Sequence, residues 1–155
     1  RVLGRRPPPC ATAVPPVHGG AMEDFPAFLA RATLEGCDGL EPALVRDLVC
    51  RYGAAYREVL VCGEPKAGGP LGPEDVLRAQ VRHAVRHEMA QKLGDVVFRR
   101  TDLGMYGVPE EATLRACAAT MAAELGWDKA RTSREVQEVR AAARERSPAA
   151  SIPVR

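Results

Sequence analysis

The stretch Val81–Thr101, VRHAVRHEMAQKLGDVVFRRT, decides the fold of this chain. Its apolar residues recur at steps of three and four, which is the spacing of one face of an α-helix. These residues are Val81, Ala84, Val85, Met89, Leu93, Val96 and Val97. The stretch therefore predicts helical structure that buries one side against the rest of the chain.

The helix that contains this face is predicted to begin at Pro73, because proline is favoured in the first turn. We expect it to run to about Ala90. A glycine inside a helix is unfavourable, so Gly94 argues against one unbroken rod. We predict a break between Gln91 and Gly94, and then a second helix that ends at Arg100.

Two acids in this stretch are expected to form ion pairs. Glu88 lies seven residues after Val81 and four after Ala84, so it sits on or beside the apolar face, where a carboxylate needs a partner. Asp95 precedes Arg99 by four residues, which is the spacing at which an acid and a guanidinium meet along a helix.

The same acids, with Arg99 and Arg100, allow a catalytic interpretation as acid/base machinery. The sequence provides no nucleophile, metal site or cofactor loop to accompany them. We therefore interpret Glu88, Asp95, Arg99 and Arg100 as buried ion pairs that fix the register of the helices.

A basic ridge is formed by Arg78, Arg82 and Arg86, which follow one another at four-residue steps. One interpretation is a contact with an anion such as a phosphate, a lipid head group or an acidic protein face. The other is a solvated face with acids from neighbouring helices close by. Because like charges at this spacing repel, we expect counter-charges in either case.

His83 and His87 lie four residues apart and suggest a zinc helix at first sight. The H-E-x-x-H pattern that begins at His87 would need a histidine at position 91, which is Gln91. We expect both histidines on the polar side of the helix, and no metal site.

Composition is that of a globular protein. The chain has 155 residues, of which 46% are hydrophobic and 27% charged, and this suits one domain with a core of Leu, Val, Ala and Met. A net charge of +2, with few aromatics among the basic residues, argues against nucleic-acid binding. No apolar run is long enough to cross a membrane.

The five cysteines, Cys10, Cys37, Cys50, Cys62 and Cys117, are odd in number and contain no C-x-x-C motif. This argues against a disulfide framework or a zinc knuckle and favours a reducing cytoplasm. We expect Cys50, Cys62 and Cys117 to be small core residues on helices. Trp127, which follows a glycine that stops a helix, is expected to be a packing plug.

The predicted fold is an all-α bundle of about five to seven helices. Residues 1–20 are rich in Pro and Arg and are predicted to be a disordered, extended lead-in; residues 21–146 form the helical domain, and residues 147–155 a frayed tail. The chain starts at Arg1 without methionine, so we expect a fragment or a processed chain.

The remaining helices are predicted from apolar stripes and stop signals. A short helix covers Glu23–Arg31, and a clearer one begins at Pro42 and ends at Gly53. A second short helix ends at Gly63. Pro109, Glu110 and Glu111 open the most regular helix, which Gly126 stops, and Asp128 caps the last helix.

Several motifs together resemble the C-terminal helical domain of FAD-dependent glycerol-3-phosphate dehydrogenases, the alpha-glycerophosphate oxidase family. They are Arg51-Tyr52-Gly53, HEMA at 87–90, DVVFRRT at 95–101, Leu103-Gly104 and ELGWD at 124–128. The resemblance marks eight residues as structural signature positions. These are Arg51, Tyr52, Gly53, Glu88, Asp95, Arg99, Arg100 and Thr101.

The resemblance implies a flavoenzyme that oxidises sn-glycerol 3-phosphate to dihydroxyacetone phosphate. Hydride passes to FAD, and the electrons pass on to a quinone or oxygen. The glycine-rich turn that holds a dinucleotide is absent from this sequence, so FAD would belong to a separate flavin domain. This chain would pack on that domain, carry no catalytic, cofactor-binding or metal residue, and be inactive alone.

The flavin domain is therefore the expected partner, and the location is cytoplasmic. A homodimer and a peripheral contact with the inner membrane face are further expectations from the resemblance. The alternative function is a free-standing helical interaction module that binds a partner through the ridge of Arg78, Arg82 and Arg86.

Overall fold

The computed structural model describes residues 15–36, 39–64, 70–105 and 107–146. In these residues every regular element is helical, which confirms the predicted all-α fold. The helices are α1 (Phe25–Glu35), α2 (Pro42–Tyr52), α3 (Tyr56–Val61), α4 (Pro73–His87), α5 (Leu93–Asp95), α6 (Glu111–Leu125) and α7 (Lys129–Arg146). A 3₁₀ turn, Gly53–Ala55, follows α2, and a π-helical turn, Val96–Arg100, continues α5.

Parts of the predicted lead-in and tail lie outside the described residues. The structure describes the lead-in only from Pro15, and the predicted tail, residues 147–155, is not among the described residues. The boundaries 1–20, 21–146 and 147–155 stay predictions.

The described residues form two compact units. The N-terminal unit contains residues 15–36 and 41–56, and the C-terminal unit contains residues 39–40, 57–64, 70–105 and 107–146.

In the N-terminal unit, α1 packs against α2. Helix α1 begins after Asp24, whose carboxylate accepts a hydrogen bond from the Ala27 N–H at 3.2 Å, and Pro26 lies in its first turn. The Phe28 ring meets the Tyr56 ring edge to face at 6.3 Å between centroids. The buried residues of α2 are Val45, Leu48 and Val49, which recur at steps of three and one and so lie on one face of the helix.

In the C-terminal unit, α4 packs against α6, and α5 packs against α7. The core contains the apolar residues that the periodicity of Val81–Thr101 predicted, apart from Met89 and from Val85, which is partly buried and packs against the core. Its buried members are Val81, Ala84, Ala90, Leu93, Val96, Val97, Leu114, Cys117, Ala118, Met121, Trp127, Val136 and Val139. The predicted packing role of Trp127 is thus confirmed.

The end of α4 differs from the prediction. The helix ends at His87, and the break covers 88–92 rather than beginning at Gln91. Met89 was expected on the apolar face and is instead 84% exposed, with a left-handed φ of 59°. The reason is that the Ala90 N–H donates to the Ala84 carbonyl at 3.0 Å, and this bond reverses the backbone and turns Met89 outward.

Two further predictions about single residues are wrong. His83 was expected on the polar side of α4, but it is only 2% exposed, with its ring 5.0 Å from that of the exposed His87. Cys50 was expected in the core, but it is exposed because it lies on the outer side of α2, whereas Cys62 and Cys117 are buried as predicted.

The C-terminus of α6 and the N-terminus of α7 lie where the sequence predicted them. Helix α6 stops at Gly126, which has a left-handed φ of 67°. Asp128 caps α7, because its carboxylate accepts from the Arg131 N–H at 2.6 Å and its carbonyl accepts from the Thr132 N–H at 3.0 Å.

Candidate functional site at the turn between α4 and α5

The turn between α4 and α5 is held by Glu88 and Arg100. Arg100 Nε lies 3.3 Å from Glu88 Oε2, an ion-pair contact without hydrogen-bond geometry, and Arg100 Nη2 donates to the Glu88 carbonyl at 3.2 Å. The expectation that Glu88 needs a partner is confirmed. The two side chains are 27% and 41% exposed, so the pair is partly solvated rather than buried as predicted.

Asp95 organises the start of α5. One carboxylate oxygen accepts from the Gln91 and Lys92 N–H groups at 3.1 and 3.0 Å, and the other accepts from Arg99 at 2.9 Å. The predicted Asp95–Arg99 ion pair is therefore present. Arg99 is 71% exposed, because the helix turns Val96 and Val97 inward and its polar side faces solvent, so this pair is not buried either.

Thr101 ends the π-helical turn. Its N–H and its hydroxyl both donate to the Val96 carbonyl, each at 2.9 Å, and the residue is buried. A carbonyl has two lone pairs, so a single threonine satisfies both here.

The sequence reasoning missed Glu135 on α7. This carboxylate is buried and accepts from the Leu93 N–H at 2.9 Å, across 42 residues of sequence. It therefore caps the first turn of α5, while Arg131 Nε lies 3.9 Å from its second oxygen. One signal was available, because Glu135 precedes Val139 by four residues and so lies beside the apolar stripe of α7.

The Arg51-Tyr52-Gly53 motif belongs to the N-terminal unit and lies apart in sequence from this turn. It closes α2, where the Gly53 N–H donates to the Val49 carbonyl. The following residue, Ala54, donates its N–H to the Gly19 carbonyl at 2.8 Å. These contacts give the motif a structural role within its own unit.

The basic ridge on α4 is paired with acids along its whole length. Arg78 lies 3.3 Å from Glu74 and 3.2 Å from Asp75 on its own helix. The counter-charges that the sequence analysis expected are therefore present at this end of the ridge.

The other two ridge arginines share one acid on α6. Arg86 donates two hydrogen bonds to Glu124, at 2.8 and 2.7 Å, and Arg82 Nε lies 3.7 Å from the same carboxylate. Arg82 also donates to Glu64 at 2.7 Å and to the Cys62 carbonyl at 3.1 Å. The hydrogen bonds from Arg86 hold the pKa of Glu124 below its ordinary value. An anion at this ridge would have to compete with these carboxylates.

A cleft of about 220 Å³ lies between α5, the π-helical turn and α7. The Arg146 guanidinium lies 4.3 Å above the Phe98 ring, and Asp95, Arg99 and Glu135 also line the cleft. These three side chains already make the hydrogen bonds and ion pair described above. Because their polar atoms are already paired, these side chains stabilise the packing of α5 and α7 and are not free to act on a substrate.

A second cleft, of about 360 Å³, lies between α6 and α7. At its edge Glu111 accepts hydrogen bonds from Arg115 and Arg140. The bond from Arg115, reinforced by the charge of Arg140, holds the pKa of Glu111 below its ordinary value. The two cations are thus bound by one carboxylate.

The described residues offer no site of the usual kind for a metal, a dinucleotide or a membrane span. Among them no three His, Cys, Asp or Glu side chains form a metal-binding group. Their regular elements are all helical, so they lack the strand, glycine turn and helix that hold FAD, and the cofactor does not fit this part of the chain. None of their helices is both long and apolar enough to span a membrane.

Comparison with known proteins identifies a family and a relative of this chain. The sequence model of the family described as the C-terminal domain of alpha-glycerophosphate oxidase matches residues 10–132. A glycerol-3-phosphate dehydrogenase from Synechocystis sp. is 32% identical over 143 residues, which cover 88% of this chain and 25% of the relative. The chain thus spans about a quarter of the length of the relative it matches.

Proposed function

Because the chain belongs to the family of C-terminal domains of alpha-glycerophosphate oxidase, we propose that it is the helical C-terminal domain of a FAD-dependent enzyme. The reaction would be the oxidation of sn-glycerol 3-phosphate to dihydroxyacetone phosphate. Hydride would pass from the substrate carbon to FAD, and the electrons would leave to a quinone or to oxygen. The similarity to a glycerol-3-phosphate dehydrogenase supports this substrate.

In this proposal the chain packs on the flavin domain and has no activity alone. The observation that supports the lack of activity is that four of the signature side chains form ion pairs with one another. Glu88 pairs with Arg100, and Asp95 pairs with Arg99 while it binds two backbone N–H groups. Groups that are used in this way stabilise a turn and leave the chemistry to other residues.

The interaction-module alternative has less support. It needs the ridge of Arg78, Arg82 and Arg86 as a binding surface, and each of these guanidiniums already lies within 3.3 Å of a carboxylate oxygen. A cytoplasmic location, peripheral contact with the inner membrane face and a homodimer are further parts of this proposal.

The test is the intact mass of the native polypeptide, its flavin absorbance spectrum and its activity. We expect a polypeptide several times longer than this chain, with bound flavin, that reduces a dye with sn-glycerol 3-phosphate and does not do so with glycerol. A polypeptide of 16.7 kDa without flavin would contradict the proposal. Dye reduction by the 155-residue chain alone would contradict the assignment of the chemistry to the flavin domain.

A further inference from the structure

Met89 combines two properties that rarely occur together. Its backbone is left-handed, with φ of 59°, and its side chain is 84% exposed. Among the described residues, the other positions with positive φ are all glycines. Gly126 takes the corresponding left-handed position at the end of α6 without a side chain. A strained residue that persists at a surface suggests a function for its side chain.

The turn that presents Met89 is rigidly held. The Ala90 N–H donates to the Ala84 carbonyl, so the backbone on one side of Met89 is fixed to α4. On the other side, Arg100 binds both the carboxylate and the carbonyl of Glu88. The backbone that presents Met89 is therefore fixed on both sides of the residue.

A second exposed methionine follows in the loop after Arg100. Met105 is 71% exposed, and its N–H donates to the Asp102 carbonyl at 3.0 Å. The loop is also tied to the π-helical turn, since the Gly104 N–H donates to the Val97 carbonyl at 3.0 Å. Arg100, the last residue of the π-helical turn, binds the residue before Met89 and lies five residues before Met105, so it links the turn that carries Met89 to the segment that carries Met105.

We infer that Met89 and Met105 form a docking surface, the methionine surface, for the flavin domain of the same polypeptide. This inference rests on the proposed function. The occupant follows from length, because three-quarters of the related dehydrogenase lies beyond the part that this chain matches. Methionine is unbranched and polarizable, so it fits irregular apolar surfaces. Covering two such side chains removes apolar area from water, which favours association.

The chain contains its own controls for a footprinting test of this surface. The native flavin-bearing polypeptide is treated with hydrogen peroxide, and the oxidation of each methionine is followed by mass spectrometry. Met121 is fully buried and reports the slow limit, and N-acetylmethionine amide in the same tube reports the fast limit. We expect Met89 and Met105 to oxidise at least about tenfold more slowly than the free reference, because oxidation follows exposure. A smaller difference would overturn the inference.

Met89→Gly provides a test in which the two possibilities have opposite signs. Glycine adopts a positive φ without strain, so if Met89 only faces water, the substitution raises the melting temperature of the native polypeptide. If Met89 packs on the flavin domain, the loss of its side chain lowers that temperature. We expect the decrease, and an increase would overturn the inference.

A matched pair of variants tests the location of the surface. Met105→Gln replaces a docking side chain by a polar one of similar length and should lower the melting temperature. Val61→Gln changes a side chain that is 85% exposed on α3 and should leave it unchanged. Equal effects of the two variants would overturn the assignment of Met105 to the methionine surface.

The failure of this inference is distinguishable from the failure of the proposed function. A flavin-bearing polypeptide that oxidises glycerol 3-phosphate, but whose Met89 and Met105 react at the rate of the free reference, contradicts the methionine surface alone. A polypeptide without a flavin domain contradicts both.

Discussion

Gly53 and Gly19 approach so closely that a Cβ on Gly53 would lie 2.1 Å from the Gly19 carbonyl oxygen. The contact is reciprocal, because a Cβ on Gly19 would lie 2.3 Å from the Tyr52 carbonyl oxygen. Both glycines have positive φ, 55° for Gly53 and 77° for Gly19. Position 53 of the Arg51-Tyr52-Gly53 motif therefore needs glycine, because the backbone at Gly19 leaves no room for a Cβ.

We predict that Gly53→Ala destabilises the N-terminal unit more than Gly36→Ala does. Both positions have positive φ, so alanine is strained at each, but a Cβ on Gly36 meets nothing within 4 Å. The difference isolates the crowding at Gly53, which should add about 1–3 kcal/mol. Urea unfolding of the two variants measures it, and equal losses of stability would contradict the close approach.

The helices were predictable because their signals are local. Apolar spacing located α4 and α6, and Gly126 and Asp128 marked the ends that the structure shows. Met89 was assigned wrongly because it continues the three- and four-residue spacing. One backbone bond from Ala90 to Ala84 turned it outward, and periodicity carries no information about such a reversal.

The candidate site was predictable only where its partners are near in sequence. The Asp95–Arg99 pair lies four residues apart and was found. Glu124 meets Arg86 across 38 residues, and Glu135 meets Leu93 across 42, so these partners depend on how the helices pack. The ridge was therefore recognised as needing counter-charges, but Glu124, the single acid that pairs with two of its arginines, was not identified.

We predict that Glu124→Gln destabilises the protein by about 1–2 kcal/mol, which is the range for losing hydrogen bonds to a charged group at a partly solvated site. Glu124 accepts two hydrogen bonds from Arg86 and also neutralises Arg82, which is 14% exposed. The matched control is Glu138→Gln, because Glu138 makes a 3.8 Å contact with Arg134 in an exposed pair. It should change stability by less than about 0.5 kcal/mol.

The lowered pKa of Glu124 predicts that the stability of the fold depends on pH. The pKa of Glu124 is lowered in the folded protein by its hydrogen bonds with Arg86, so the stabilisation is fully present above the unfolded value of 4.5. It is lost as the pH falls through the lower, folded value. The wild type should therefore lose more stability than Glu124→Gln as the pH falls from about 5 through that folded value. Parallel curves would contradict the assignment.

We predict that Glu135→Ala destabilises the C-terminal unit by about 1–3 kcal/mol, because it leaves the Leu93 N–H buried without an acceptor. Glu135→Gln keeps a side-chain oxygen and should recover most of that loss. Hydrogen exchange at Leu93 gives a local readout, since only the alanine variant should expose this amide. Fast exchange at Leu93 in the wild type would contradict the cap.

The three described cysteines should differ in reactivity. Cys50 is exposed, whereas Cys62 and Cys117 are buried, and burial raises the pKa of the Cys117 thiol to about 12. At pH 8 about one Cys117 in ten thousand would be a thiolate, which is the reactive form. Iodoacetamide should therefore label Cys50 in the native protein at least about a hundredfold faster than Cys117, and the difference should disappear in denaturant because it depends on folding. Rapid native labelling of Cys117 would mean that α6 does not pack as described, since the buried face of that helix is what protects the thiol.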